Sequence, residues 1–442
     1  MEKVHYKRIL LSFIAAVIAY LLPLGLSDKP HIMLFITIFI ALLWITEAVP
    51  LYATAIFAAF LMVVLSTLKP AEVFGQYFDP VIVLLLGGFV IAVAMNKYGF
   101  DKFLAYKILS KAGTNPKMVV LALMGTSTFI SMWISNSATA AIVMPVALVV
   151  LARNRVRKGL SNFGKACVLA VAYGATIGGI GTIIGSTPNV IAAKFLHDSG
   201  VQFGFYDWFY RGFPFMLVLM FLGWLVLVTI FKPEQKKVRP FRHTESMSWN
   251  QKKVGAVFGL TVFLWLTEPI HGVNSGVVAL VPIILFYFTG LLNTDDFMKI
   301  DWPTLILLGG SLALGFGIHA SGLDGYLAST ISGMSGIESV LMLFLLIGML
   351  GTIITLVISN TTAAAVYLPI VVALASGFGA SVTNTVVVAA IGVSLDFIFS
   401  FGTPPTAIAY GTKYVHTKDI AKVGIIISAI GVVLLAFMAM MW

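Results

Sequence analysis

Continuous apolar runs dominate the chain, separated by short polar breaks rather than alternating residue by residue. A run of about twenty residues is the length of a helix that crosses a bilayer, whereas a barrel strand alternates over about ten positions. Such runs fall at roughly 9–26, 31–49, 51–68, 80–96, 164–199, 212–231, 250–268, 272–291, 302–320, 384–415 and 419–441, which predicts eleven transmembrane helices. Two further apolar stretches, 117–152 and 337–377, are each too long for one helix and break in the middle at a polar motif. They read as re-entrant helical hairpins that enter and leave on one side. Non-helical backbone at that depth is tolerated only when buried in protein or lining a cavity. The expected fold is an all-α polytopic membrane protein.

The two polar motifs are copies of one another. Ser135-Asn136-Ser137 is followed by small residues and Pro145, and Ser359-Asn360-Thr361 by small residues and Pro369 at the same distance. Small polar groups so deep in apolar sequence are costly unless they contact a ligand, an ion or each other. Four more matches keep the same order at an offset near 220. Trp44 to Glu47 matches Trp265 to Glu268, Leu85 to Gly88 matches Leu307 to Gly310, Gly99 to Asp101 matches Gly322 to Asp324, and Gly185 to Pro188 matches Gly402 to Pro405. The series indicates a duplication. Each copy holds five crossings and a hairpin, and an odd number of crossings turns the second copy upside down. The expected organisation is a first helix in 1–30, repeat 1 in 31–231, a basic linker in 232–249 and repeat 2 in 250–442. The first hairpin opens inward and the second outward.

The Gly-(Ser/Thr)-x-Pro segments should break crossings five and ten, since proline removes a donor and unwinds the helix there. Half-helix N-termini attract anions, while half-helix C-termini and loose carbonyls attract cations. Each repeat thus offers a place for one small cation, and the pair a place for a shared anion.

Composition agrees with the hydropathy pattern. The 442 residues are 59% hydrophobic and only 10% charged, against about 25% charged in a soluble domain. Mean hydropathy is +1.00. The formal charge of +10 is the excess of basic residues on one membrane face, not a nucleic-acid signal. Lys97, Lys102, Lys107, Lys111 and Lys117 precede the first hairpin, and Arg153, Arg155, Arg157, Lys158 and Lys165 follow it. Lys232, Lys236, Lys237, Arg239 and Arg242 fill the linker, and Lys252 and Lys253 directly follow it. The opposite face has only Lys29, Lys69, Lys194 and Arg211, so the N-terminus, with Lys3, Lys7 and Arg8, is placed in the cytoplasm. The inner loop with Asp295, Asp296 and Asp301 is the exception. A single cysteine, Cys167, excludes an intramolecular disulfide and a cysteine metal cluster.

Paired Ser-Asn-hydroxyl motifs, each followed by a Gly-x-x-Pro break in an inverted repeat, resemble the divalent anion:sodium symporter family over nearly the whole chain. The resemblance implies scaffold and transport domains, a homodimer in a prokaryotic inner membrane, and elevator-type movement. The implied activity is import of C4-dicarboxylates such as succinate, malate or fumarate with co-transported sodium ions and no organic cofactor. A dicarboxylate exchanger, or a tricarboxylate or sulfate carrier, is the alternative within the same fold. The first sodium site would use Ser131, Ser135, Asn136 and the Gly185 carbonyl. The second would use Thr355, the Ile358 carbonyl, Asn360 and the Gly402 carbonyl. Substrate carboxylates would meet Asn136, Ser137, Asn360, Thr361, Thr403 and Pro404. Ser137 departs from the threonine usual in the family but keeps the hydroxyl. Hydroxyl, amide and carbonyl oxygens suit a hard cation. Neither motif contains Arg or Lys, so helix N-termini and bound sodium would neutralise a dianion.

Other polar residues carry less. Asp396, six residues before Gly402, reads as a buried acid bonded to Ser, Thr or backbone, with a proton- or cation-ligating role as the alternative. Glu47 and Glu268 read as helix-end residues, and His319 as packed near the outer end of its span. Gly87-Gly88 and Gly309-Gly310 are expected to permit close helix packing. The stretch 99–113, with Phe100, Phe103 and Leu104, reads as an amphipathic helix anchored in the headgroup layer, and 322–333 as its outer counterpart. A channel is disfavoured because filters repeat around an axis. An enzyme is disfavoured by the lack of a metal cluster, a nucleophile elbow or paired catalytic acids.

Overall fold

A computed structural model describes residues 4–66, 68–241, 245–326, 339–377 and 380–442. Lys3, Arg242, 327–333 of the outer amphipathic stretch and 337–338 of the second hairpin lie outside the described residues. All regular structure among the described residues is helical.

Helix α1 (Tyr6–Leu21) packs on α2 (Asp28–Thr46), which turns into α3 (Leu51–Leu65). The short α4 (Pro70–Gly75) leads into α5 (Pro80–Tyr98) and α6 (Phe100–Ser110). α7 (Pro116–Ser131) and α8 (Asn136–Arg153) are joined by four residues. α9 (Asn162–Gly178) and α10 (Thr187–Asp198) are the halves of a broken helix, and α11 (Phe205–Ile230) closes the first half of the chain. The second half runs α12 (Trp249–Leu266), α13 (Glu268–His271), α14 (Ser275–Val278), α15 (Leu280–Phe288), α16 (Thr294–Phe297) and α17 (Trp302–Ser321). It continues with α18 (Val340–Thr355), α19 (Asn360–Gly377), α20 (Val382–Gly392), α21 (Pro404–Gly411) and α22 (Thr417–Ala439). Among the described residues, six stretches are long and apolar enough to cross a membrane: Asp28–Thr46, Pro70–Tyr98, Asn136–Arg153, Phe205–Ile230, Trp302–Ser321 and Thr417–Ala439.

Local chemistry sets the helix starts. Asp79 accepts from the Val81 amide with Pro80 in the first turn, and Asn115 accepts from the Lys117 amide with Pro116 beside it. Ser248 and Gln251 form a reciprocal capping box on α12.

Length and apolarity alone would let α8 cross a membrane. Its ends show how it is paired with α7. The Val238 amide donates to the Thr114 carbonyl at 2.9 Å, and the Arg239 amide donates to Asn154 Oδ1 at 2.8 Å. Both ends of the α7–α8 unit therefore meet successive residues of the linker, and the unit is a hairpin. In the second unit the Tyr367 hydroxyl donates to the Ile347 carbonyl at 2.9 Å, which folds α19 back along α18.

The matched positions share packing roles. The Trp44 indole donates to the Leu51 carbonyl at 3.2 Å and the Trp265 indole to the Ser275 carbonyl at 3.0 Å, so each closes the turn behind its helix. Glu268 Oε1 accepts from the Ser275 amide at 3.0 Å. A Cβ at Gly87 would lie 2.5 Å from the Ala279 carbonyl oxygen, and one at Gly310 would lie 2.4 Å from the Ala55 Cβ. These glycines allow helix contact, as their position in apolar sequence implied.

The acidic inner loop is neutralised from its surroundings. Asp296 is buried and caps the Asn293 amide, with Lys97 Nζ at 2.5 Å and Lys299 Nζ at 2.9 Å. Burial pushes its carboxyl up, but the hydrogen bonds from Lys97 and Lys299 outweigh burial and hold it down at about 2.

Three expectations change. Lys194 is not an outer-loop charge: it is buried in α10, paired with Asp79 at 3.0 Å and with Asp198. His319 is not packed: its ring is exposed, with Nδ1 2.7 Å from Asp324 Oδ2. Phe100 and Phe103 are buried in protein rather than set in a headgroup layer, and Phe100 lies against Gly255 of α12. Their apolar face is satisfied by a neighbouring helix, which periodicity cannot distinguish from lipid.

Candidate functional site

α9 is the axis of the site. It is buried from Ala166 to Gly178 and touches α7, α8, α11 and α21. A helix apolar on every side belongs in a core. Beyond it, helical pairing stops over 179–186, and in the second half over 393–403. Both breaks begin well before the Gly-x-x-Pro segment from which the sequence argument located them. In the first, the run Gly178-Gly179-Ile180-Gly181 is the signal that went unread. In the second, Asp396 occupies the loop.

At the first hairpin tip Ser131 ends α7 and Asn136 begins α8. Ser131 Oγ donates to Asn136 Oδ1 at 2.8 Å. Ser135 is the N-cap of α8, its hydroxyl accepting from the Ala138 amide at 3.4 Å. The opposite wall is the first break. A Cβ at Gly179 would lie 2.4 Å from Asn136 Oδ1, so only glycine lets the Asn136 amide sit there. Gly185 folds back on Gly179, where a Cβ would come 2.7 Å from the Gly179 carbonyl oxygen. Thr182 Oγ1 donates to the Met132 carbonyl and ties break to tip. Asn189 is fully buried and donates to the Gly179 and Thr182 carbonyls, both at 2.8 Å. Sequence reasoning missed Thr182 and Asn189, although Asn189 directly follows the Pro188 break. The structure thus gathers Ser131, Ser135, Asn136 and, through Gly179, Gly185.

The second tip repeats the arrangement. Thr355 ends α18, Asn360 begins α19, and Thr355 Oγ1 donates to Asn360 Oδ1 at 2.6 Å. The hydroxyls of Ser359 and Thr362 are 2.9 Å apart. Thr355, Ile358, Ser359 and Gly402 line one cavity of about 360 Å³, whose far side carries Arg8, Thr46 and Glu47. A second cavity of about 510 Å³ runs from Ser135 and Ala138 to Asn96, Lys97 and Asp301.

The halves interlock. α19 packs along α10, and α8 packs along α21, so each hairpin leans on the broken helix of the other half. At the first crossing, Thr361 and Thr187 stand in the opening turns of α19 and α10 with hydroxyl oxygens 2.5 Å apart. Two helix N-termini therefore meet at paired hydroxyls, an arrangement that favours negative charge. Thr403 is buried, its hydroxyl 3.0 Å from that of Thr406, while Pro404 and Ser137 are exposed. Thr187 was not among the expected substrate contacts. Asp396 is fully buried, and neither carboxylate oxygen has a hydrogen-bond partner among the described residues, against the expectation of a bonded acid.

Comparison with known proteins points one way. Residues 2–442 match the family model described as the sodium:sulfate symporter transmembrane region. A sodium-dependent dicarboxylate transporter, SdcS, of Staphylococcus saprophyticus is 32% identical over 93% of this chain and 86% of the relative. SdcS of Staphylococcus aureus strain USA300 is 30% identical over 95% of this chain and 87% of the relative. Among solved structures, the Alcanivorax borkumensis YdaH transporter, described as having an unusual topology, superposes with a TM-score of 0.59. The match covers 83% of this chain and 86% of that one at 14% identity, a likeness of fold alone.

Proposed function

The chain belongs to the sodium:sulfate symporter family, and from that membership we propose that it is a sodium-coupled importer of C4-dicarboxylates such as succinate, malate and fumarate. The observation that carries this reading is the repeated tip. Ser131 with Asn136, and Thr355 with Asn360, each place a hydroxyl and an amide oxygen side by side where helical backbone has been interrupted. Oxygen-only donors of this kind suit a hard monovalent cation. Each tip with its break holds one sodium: Ser131, Ser135, Asn136 and Gly185 in the first, Thr355, Ile358, Asn360 and Gly402 in the second.

The substrate lies between the tips, against Asn136, Ser137, Asn360, Thr361, Thr403 and Pro404, with Thr187 added by its contact with Thr361. No Lys or Arg belongs to either motif, so helix N-termini and the two cations balance the dianion. Coupling follows, because the anion binds well only when the cations are present. The two tip cavities reach Arg8, Glu47, Lys97 and Asp301, the face assigned to the cytoplasm, which supports an inward-facing conformation. Movement of α7–α10 and α18–α21 as one body against a scaffold of the other helices exposes the site to the other face. A split of the site would leave bare carbonyls and hydroxyls in lipid. Eleven crossings, ten of them in an inverted repeat, a homodimer and a cytoplasmic N-terminus in a prokaryotic cell membrane complete the reading.

Uptake of radiolabelled succinate into proteoliposomes tests it across sodium, lithium and potassium gradients, with and without internal dicarboxylate. Sodium-driven uptake into empty vesicles is the expected result. Uptake only against internal dicarboxylate would establish an exchanger instead, and competition by sulfate or citrate but not by fumarate would establish the other substrate classes.

A further inference from the structure

Each break closes in the same way, with a glycine folded back over the residue six positions before it. In the first break Gly185 covers Gly179, and Gly179 faces the Asn136 amide of the hairpin tip. In the second, Gly402 covers Asp396, with the two carboxylate oxygens 2.4 and 2.6 Å from where a Gly402 Cβ would stand. Gly402 also lines the cavity that holds Thr355 and Ile358. A carboxylate therefore lies under the glycine that closes the second break, in the place that a bare glycine holds in the first.

That carboxylate is fully buried, and neither oxygen accepts a hydrogen bond among the described residues. The Ile398 amide faces it without the geometry of a bond. A buried acid of this kind calls for a counter-charge, and an ionisable group inside a membrane-spanning body is a functional group until a structural partner is found. No Lys or Arg pairs with it among the described residues. The hard-oxygen set at the second tip is the neighbouring group that would bring a positive charge.

We propose that Asp396 is an anionic ligand of the cation held between the second hairpin tip and the second break, giving this site a fixed negative charge that the first lacks. This rests on the reading of the tips as sodium sites. The two sites are then unequal. The second takes its cation without help from the substrate. The first, built of neutral donors, fills only when the dianion adds its charge. Cation binding at the second site precedes substrate.

The experiment titrates purified protein with sodium, lithium and potassium chloride in the absence of any dicarboxylate, reading thermal stabilisation, for wild type, Asp396→Asn and Asp396→Glu. Wild type should be stabilised by sodium. Asp396→Asn should need at least about ten times more sodium for the same effect, and Asp396→Glu should keep cation binding while changing the sodium-to-lithium preference. Sodium-minus-potassium infrared difference spectra of the wild-type protein supply a readout that no variant has to fold for. They should show a shifted carboxylate band, and that band should be absent from Asp396→Asn. Sodium stabilisation that is equal in wild type and Asp396→Asn, or a wild-type difference spectrum without a carboxylate band, overturns the inference and leaves sodium coupling standing. A wild-type protein indifferent to sodium in both stabilisation and uptake overturns the sodium-coupled reading itself, and the inference with it.

Discussion

Gly179→Ala tests the proposed first cation site without changing any of its proposed ligands. Gly179 has ordinary right-handed helical torsions, φ −58° and ψ −21°, so alanine costs nothing in backbone strain. The added methyl would lie 2.4 Å from Asn136 Oδ1 and 3.1 Å from its Cγ and Nδ2. Carbon approaches its neighbours at about 3.5 Å or more, so the amide must move by roughly 1 Å. That movement breaks the 2.8 Å bond from Ser131. The lost bond is worth about 1 kcal/mol and overpacking a further 1–3 kcal/mol. Through the misplaced oxygen, sodium affinity at this site should fall about tenfold or more. The assay is the sodium dependence of succinate uptake at saturating succinate, alongside a thermal midpoint in detergent. Gly259→Ala is the control, because nothing lies within 4 Å of its would-be Cβ and α12 is helical there. It should be neutral, or stabilising by up to about 1 kcal/mol. If Gly179→Ala kept wild-type sodium activation while folding normally, Asn136 would not be a sodium ligand at this position, and the argument from the tip would fail.

Asn136→Ala and Asn360→Ala should each abolish sodium-driven succinate uptake while the protein still folds into the membrane, because each removes the oxygen that faces its tip hydroxyl. Uptake and detergent chromatography together check this. Thr187→Val or Thr361→Val removes one partner of the 2.5 Å hydroxyl pair and should raise the KM for succinate with little change in the sodium midpoint; an unchanged KM would place the substrate elsewhere. Asp296→Asn should destabilise the protein by about 1–3 kcal/mol through loss of charge-assisted bonds from Lys97 and Lys299. Because this carboxyl is held at about 2, below its ordinary value of 3.8, its stabilisation is complete above that ordinary value. It is lost as pH falls from there towards 2, so acid-induced loss of the thermal midpoint should be shallower in the variant.

The all-helical class, the helix positions and the two hairpins were legible because membrane-length apolar runs admit little else, and because the Ser-Asn motif appears twice. Small departures had readable causes. The breaks start at Gly178 and after Gly392 rather than at the Gly-x-x-Pro segments, since glycine in a buried helix end already releases the ladder. Phe100 and Phe103 show a limit of periodicity: an apolar face says that water is excluded, not whether lipid or protein excludes it.

Neighbours across the fold were decided only by tertiary structure. α9 and α11 are both strongly apolar in sequence, yet from Ala166 onward α9 is buried on every side while α11 exposes Leu217, Val218 and Phe221. Helices without a polar stripe do not encode which face meets protein. The sequence by itself picked out the parts of the candidate site, because hydroxyls, asparagines and prolines inside apolar runs are energetically conspicuous wherever they fold. Packing decided the pairings: Thr361 with Thr187 of the other half, Gly179 beneath Asn136, and Asp396 beneath Gly402 without a bonding partner among the described residues. Such contacts join residues far apart in the chain, and their geometry follows from close approach at glycine, which leaves no mark in hydropathy.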